Sequence, residues 1–171
     1  VTGVTAAIVP STINVGESAQ VTASVAPANA TNKTLTYSSS NSAVAAVNNA
    51  GAVIGMGAGT ATITVRSANG KTASVNVTVV NVPVKEIQLN TESAEVTISG
   101  TVALKTAILP ENATNKAVKW MSEDETIASV SVDGVVTGHK VGSTSVYAIA
   151  EDGSNVKSSE CKITVKSDSQ I

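Results

Sequence analysis

Two heptapeptides, PANATNK from Pro27 and PENATNK from Pro110, are nearly identical and stand 83 residues apart. The same offset carries Tyr37 onto Trp120, Val47 onto Val130, Gly51 onto Gly134, Gly55 onto Gly138 and Gly59 onto Gly142. It also carries Val4 onto Ile87, Ile13 onto Val96, Val21 onto Leu104 and Val25 onto Ile108. Self-similarity at a fixed spacing over so many positions means two copies of one folding unit. The register slips only near the end of each copy, where Val75, Val77 and Val79 match Cys161, Ile163 and Val165 after three extra residues following Gly153. An exposed hairpin loop tolerates such an insertion. The boundary falls in VVNVPVK, which gives copies at 1–82 and 83–171.

A unit of roughly 80 to 90 residues holds one small core. Here that core must be thin, because the apolar residues are mostly Val, Ile and Ala, with no Phe, one Trp and two Tyr. Branched side chains favour sheets over helices. Val21, Ala23 and Val25 alternate with polar residues, as do Ala61, Ile63 and Val65 before Asn69-Gly70 and Ala73, Val75, Val77 and Val79 after it. Alternation on both sides of Asn-Gly predicts a hairpin, and Asp152-Gly153 takes that place in the second copy, whose extra residues lengthen the loop or the start of the last strand. Gly51 and Gly134 supply positive φ in another turn. Turn signals recurring about every 8 to 12 residues predict seven or eight short strands per copy, in an antiparallel sandwich. The one alanine-rich stretch, 43–47, is too short and too β-branched to start a helix.

The order of features in each copy resembles the bacterial immunoglobulin-like domains of group 2. Each has a Val-rich first strand, a Gly near the start of the next (INVGESAQV), a strand ending in Pro-x-Asn-Ala-Thr-Asn-Lys, and an aromatic followed by Ser (TYSSSNSAVAAV, KWMSEDETIASV). A Gly-Val/Ala-Val turn and a Gly-Thr/Ser-Ala/Thr-Thr/Ser-Ile/Val strand follow. Two departures concern local packing: Tyr37 stands where such domains usually carry Trp, and Gly100 comes one position later than Gly16 predicts. The resemblance implies an all-β chain of two tandem immunoglobulin-like antiparallel sandwiches. VVNVPVKEI has no Gly or Ser run, and Pro83 stiffens the backbone, so an elongated arrangement is expected. Domains of this kind occur in long bacterial surface and secreted proteins, adhesins and phage virion proteins, as spacers or binding modules. A chain starting at Val1 rather than Met points to a processed protein or a piece of a longer one.

Catalysis finds few candidates. His139 is the one histidine and falls in a turn region opposite Met56, and the one cysteine, Cys161, falls on an inward strand position opposite Val75. A single cysteine rules out an intrachain disulfide and reads as a small core residue. GMGAGT lacks the lysine and helix of a phosphate loop. A non-enzyme without a required cofactor is expected.

Charge divides the copies. Residues 1–82 carry three basic residues and one acidic, a net of +2, whereas 83–171 carry eight lysines and twelve carboxylates, a net of −4. No extended basic face offers itself to nucleic acid, and no stretch is long and apolar enough to span a membrane as a helix. Asp124, Asp133 and Asp152 are weak calcium candidates, since calcium wants several oxygens gathered together. The first copy has Asn41, Ala50 and Asn69 there, so a solvated acidic rim is the simpler reading. Trp120 and Tyr37 belong to the core, which removes them as stacking faces for sugar. Tyr147 and Ile149 face outward if Val146 and Ala148 face in, and form a possible interaction surface.

The expected role is therefore a non-catalytic spacer or presentation module of a larger cell-surface or secreted bacterial protein, or of a phage virion, monomeric as a fragment. Its partners are neighbouring domains of the same polypeptide. The alternatives are an adhesin module binding a host protein or surface glycan, and an accessory domain of a polysaccharide-active enzyme. PANATNK and PENATNK contain Asn-x-Thr acceptors, yet each reads best as the connection that every sandwich needs once, with Asn and Thr side chains bonding nearby backbone.

Overall fold

The computed structural model describes residues 1–168. The chain divides into two compact units, Val1–Val82 and Pro83–Ile171. Among the described residues no α-helix forms.

The first unit has eight strands: β1 (Gly3–Val9), β2 (Thr12–Asn14), β3 (Ser18–Ala26), β4 (Leu35–Ser39), β5 (Ala45–Val47), β6 (Ala52–Gly55), β7 (Gly59–Ser67) and β8 (Thr72–Val80). They form two four-stranded sheets, ordered β1-β3-β6-β5 and β2-β8-β7-β4. Neighbours run antiparallel except β2 and β8, which are parallel. The parallel pair arises because the chain leaves β1 in one sheet and enters the other at Ser11–Thr12, with Pro10 lacking a ladder N–H at the crossing. Asn69-Gly70 closes the β7–β8 hairpin, where the Ser67 N–H donates to the Lys71 carbonyl at 2.8 Å.

The second unit repeats the plan with β9 (Glu86–Leu89), β10 (Ser93–Thr97), β11 (Thr101–Ala103), β12 (Thr106–Leu109), β13 (Val118–Ser122), β14 (Ala128–Val130), β15 (Val135–Gly138), β16 (Gly142–Ala150) and β17 (Cys161–Lys166). One sheet is β10-β17-β16-β13, with β10 parallel to β17; the other face is made of β11-β15-β14 and the pair β12-β9. Nine strands replace the expected seven or eight because the counterpart of β3 breaks at Leu104–Lys105. There the Asn90 side chain accepts the Lys105 N–H at 2.8 Å, and the Asn90 N–H donates to the Lys105 carbonyl at 3.0 Å.

The period-two pattern places the cores. Val21, Val53, Ile63, Val65 and Val77 are fully buried in the first unit, as are Leu104, Val136, Val146, Ala148 and Ile163 in the second. Burying one such aliphatic side chain contributes about 1.5–3 kcal/mol. Tyr37 and Trp120 are partly buried against these clusters, on β4 and β13. Each has a turn glycine against its ring. A Cβ on Gly51 (φ 79°) would lie 2.8 Å from the Val21 carbonyl and 3.1 Å from the Tyr37 ring, and one on Gly134 (φ 80°) 2.8 Å from both the Leu104 carbonyl and the Trp120 ring. Only glycine satisfies both the backbone angle and the space.

The heptapeptides become matching connections. After the cis peptides at Pro27 and Pro110, the Ala30 and Ala113 N–H groups donate to the proline carbonyls at 3.0 and 2.9 Å. The Asn32 and Asn115 side-chain oxygens then accept the N–H groups of Thr34 and Ala117, both at 2.9 Å.

Candidate functional site

Where the copies agree they build scaffold, so a site is sought where they differ, and the outer face of β10-β17-β16-β13 differs most. In the first copy β7 presents Thr60, Thr62, Thr64 and Arg66 outward. The threonine hydroxyls turn to β8: Thr62 Oγ1 donates to Asn76 Oδ1 at 2.9 Å, and the Thr64 and Ser74 hydroxyls lie 3.2 Å apart. The same positions of β16 are Ser143, Ser145, Tyr147 and Ile149. Val146 and Ala148 are fully buried while Tyr147 and Ile149 are half-buried on the outside, beside Met121 and Lys119 of β13.

The apolar spot is narrower than the sequence indicates. Lys157 Nζ sits 3.7 Å from the centre of the Tyr147 ring, a cation–π contact of about 0.5–1 kcal/mol at an exposed site. Its ammonium is also 2.9 Å from Glu160 Oε1. The hydrogen bond raises the pKa of Lys157 and lowers that of Glu160. Beyond Glu160 lies an open depression lined by Glu123, Asp124, Ser143, Ser145 and Lys162. A sugar ring stacking on this face of Tyr147 has to displace Lys157. Neither Lys157 nor Glu160 is singled out by the sequence: in the register that follows the three-residue insertion they stand opposite Lys71 and Ser74, and nothing in that pairing signals a contact with Tyr147.

That insertion lengthens the loop and leaves β17 shorter than β8. The segment after β16 folds back on it: the Ala150 N–H donates to Val156 O and the Ser158 N–H to Ala148 O, both at 2.8 Å. Ser158 is buried, and its hydroxyl accepts the Ala148 N–H at 3.0 Å.

The three aspartates are not gathered. Asp124 lies before β14, its N–H donating to Thr144 Oγ1 near the start of β16 at 3.0 Å. Asp152 follows the far end of β16, roughly 25 Å away along the strand direction. Asp133 stands exposed in the β14–β15 turn, on the opposite sheet. The three calcium candidates thus stand on separate elements of the second unit. Asp124 Oδ1 accepts the Thr126 hydroxyl at 2.5 Å and the Thr126 N–H at 2.9 Å. Asp152 Oδ1 accepts the same two groups of Ser154 at 2.5 and 2.9 Å, and its Oδ2 accepts the Val84 N–H at 2.6 Å. These hydrogen bonds hold both carboxyls below the ordinary aspartate range. Among the described residues no three His, Cys, Asp or Glu side chains are placed to share a metal ion.

His139 is exposed, with Nε2 2.7 Å from Ser129 Oγ. Cys161 lies in the core, where burial pushes its thiol up and leaves it protonated at neutral pH. The histidine and the cysteine are therefore not partners.

Comparison with known proteins follows the same two-part division. The family model described as bacterial Ig-like domain (group 2) matches residues 1–79 and again 83–161. An uncharacterized protein of Clostridium acetobutylicum is 32% identical over 152 residues, which is 88% of this chain and 16% of that protein. An Ig-like virion protein of Serratia phage KSP90 is 53% identical over 81 residues, 46% of this chain and 31% of that protein. A 3-O-alpha-D-galactosyl-alpha-L-arabinofuranosidase of Bifidobacterium longum subsp. longum is 39% identical over 77 residues, 45% of this chain and 7% of the enzyme. The chain thus spans less than a third of the length of each of these relatives.

Proposed function

Because the chain belongs to the bacterial Ig-like domain family of group 2, with two tandem members, we infer that its work is mechanical: it spaces or presents other parts of a larger protein. The observation that carries this reading is that each copy closes its own core and spends its loop side chains on its own backbone. Asn32, Asn48, Asn115, Asp124 and Asp152 all accept backbone N–H groups within their own unit. A loop so occupied resists deformation and has few free groups for a ligand. The partners of such a module are the domains that flank it. Similarity to a virion protein and to a glycosidase supports a place outside the cell, at a bacterial surface or on a virion.

The partial match to the arabinofuranosidase favours a second reading, an accessory domain carried beside a polysaccharide-active catalytic domain. Both readings have this chain perform no chemistry of its own, and they differ in whether it touches sugar. The 171-residue chain, immobilised and screened against glycan arrays and host matrix proteins, separates them. The spacer reading expects no saturable binding. Saturable binding of a polysaccharide, lost in Tyr147→Ala, supports the accessory reading, and saturable binding of a host protein supports an adhesive module.

A further inference from the structure

Asn69-Gly70 is the one Asn-Gly step in the chain, and it stands exposed at the tip of the β7–β8 hairpin. An asparagine side chain is open to attack by the next peptide nitrogen when that residue is glycine, which has no side chain to obstruct the approach. Outside its chain neighbours, a Cβ built on Gly70 would meet Arg66 Nη2, at 3.6 Å, and nothing nearer. The approach is therefore clear, and a guanidinium charge lies beside the peptide that has to lose its proton, which favours the anion. The carbon under attack is prepared as well. Ser67, 2% exposed, donates its hydroxyl to Asn69 Oδ1 at 2.7 Å, the oxygen on which negative charge collects as Cγ becomes tetrahedral.

Two contacts hold the reaction off while the turn is closed. The Gly70 N–H donates to the Ser67 carbonyl at 2.9 Å, and Asn69 Nδ2 donates to the Val1 carbonyl at 2.6 Å. Both belong to an exposed loop tip, which opens locally while the sheets stay folded. The turn also accepts the product. The 83-residue offset turns Asn69-Gly70 into Asp152-Gly153, and Gly153 has φ 90° against 88° for Gly70. Asp152 accepts the N–H groups of Ser154 and Val84. An aspartate thus suits this turn but not the Val1 contact, since a carboxylate has no hydrogen to donate to a carbonyl.

We propose that Asn69 is a self-modification site, a one-way change that removes the tie between the hairpin tip and Val1. Gly70 N, its proton taken by hydroxide, bonds to Asn69 Cγ; the Cγ–Nδ2 bond breaks, and Nδ2 leaves as ammonia with a proton from water. Water then opens the cyclic imide at either carbonyl, giving an aspartyl or an isoaspartyl link and taking the net charge of residues 1–82 from +2 to +1. The site is independent of the spacer reading, because it needs no partner. The test incubates the full chain at mildly alkaline pH below its melting temperature, then cleaves it after Arg66 and Lys71. The fragment 67–71 is expected to exchange the mass of an amide for that of an acid, in two chromatographic forms, at a rate that rises with pH. Asn76, followed by the branched Val77 and bonded to Thr62, serves as the internal control and stays intact, and the buried Val77 amide stays protected from exchange. In Asn69→Asp, loss of the Val1 tie speeds exchange of the Thr2 amide, bonded to the Ala26 carbonyl at 2.7 Å, about two- to tenfold. Conversion of 67–71 in denaturant but not in the folded chain overturns the proposal, as does conversion no faster than at Asn76. Unchanged Thr2 exchange in Asn69→Asp overturns the released tie.

Discussion

Gly134 and Ser99 show how single residues set what each copy tolerates. Gly134 has φ 80°, and an added Cβ would meet the Leu104 carbonyl and the Trp120 ring at 2.8 Å. Gly134→Ala is therefore expected to cost at least about 2–3 kcal/mol, from backbone strain plus overpacking, read as a lower denaturation midpoint followed by Trp fluorescence. Ser99 is the opposite case. It stands at the offset position of Gly16 and takes the same left-handed turn, at φ 63° against 88°. Its N–H donates to Gly138 O as that of Gly16 donates to Gly55 O, both at 2.8 Å. Ser99→Gly is expected to stabilise the second unit by up to about 1 kcal/mol by relieving the left-handed serine, and an unchanged or lower melting temperature counts against that. The role of Gly134 was legible, because a glycine recurring between short strands signals positive φ. That of Ser99 was hidden, since the glycine beside it, Gly100, drew attention to the wrong position.

At the level of elements, the connections repeat more faithfully than the strands they join. PANATNK and PENATNK place Asn32 and Asn115 in the same bond to a backbone N–H. Asn32→Ala and Asn115→Ala are each expected to cost about 0.5–1.5 kcal/mol, measured as separate shifts in denaturation midpoint, and near-equal losses are the signature of a shared scaffold. The strand pattern was readable from alternation alone, down to Val146 and Ala148 facing inward. The break at Leu104–Lys105 was not, because it depends on Asn90 reaching across from β9. Nor was the cover over Tyr147, because Lys157, held by Glu160, meets the ring only when the loop lengthened by the insertion folds back along β16. The aspartates have the right chemistry for a cation but stand apart, Asp124 after β13, Asp133 in the β14–β15 turn and Asp152 after β16, a separation that depends on how the strands are arranged in the two sheets.

For the whole molecule, the uneven distribution of carboxylates predicts an order of acid unfolding. Hydrogen bonds lower the pKa of Asp124 and Asp152, and Lys157 lowers that of Glu160, all in the second unit, whereas the first has Glu17, lowered by the Asn14 backbone N–H. A carboxyl with a depressed folded pKa contributes stability above its unfolded pKa and loses it as pH falls through the folded value. Between about pH 5 and pH 2 the second unit therefore loses more stability than the first. Trp120, the single tryptophan, reports on that unit alone; its transition should drop further in temperature than the calorimetric transition of the first unit, and an equal drop in both contradicts the assignment. The central claim, that two self-contained sandwiches carry load as a spacer, is tested most directly by stretching single molecules from end to end. Two separate force peaks are predicted, each releasing roughly 80 residues, about 280 Å of chain. One peak releasing the whole chain, or extension without resistance, would contradict it.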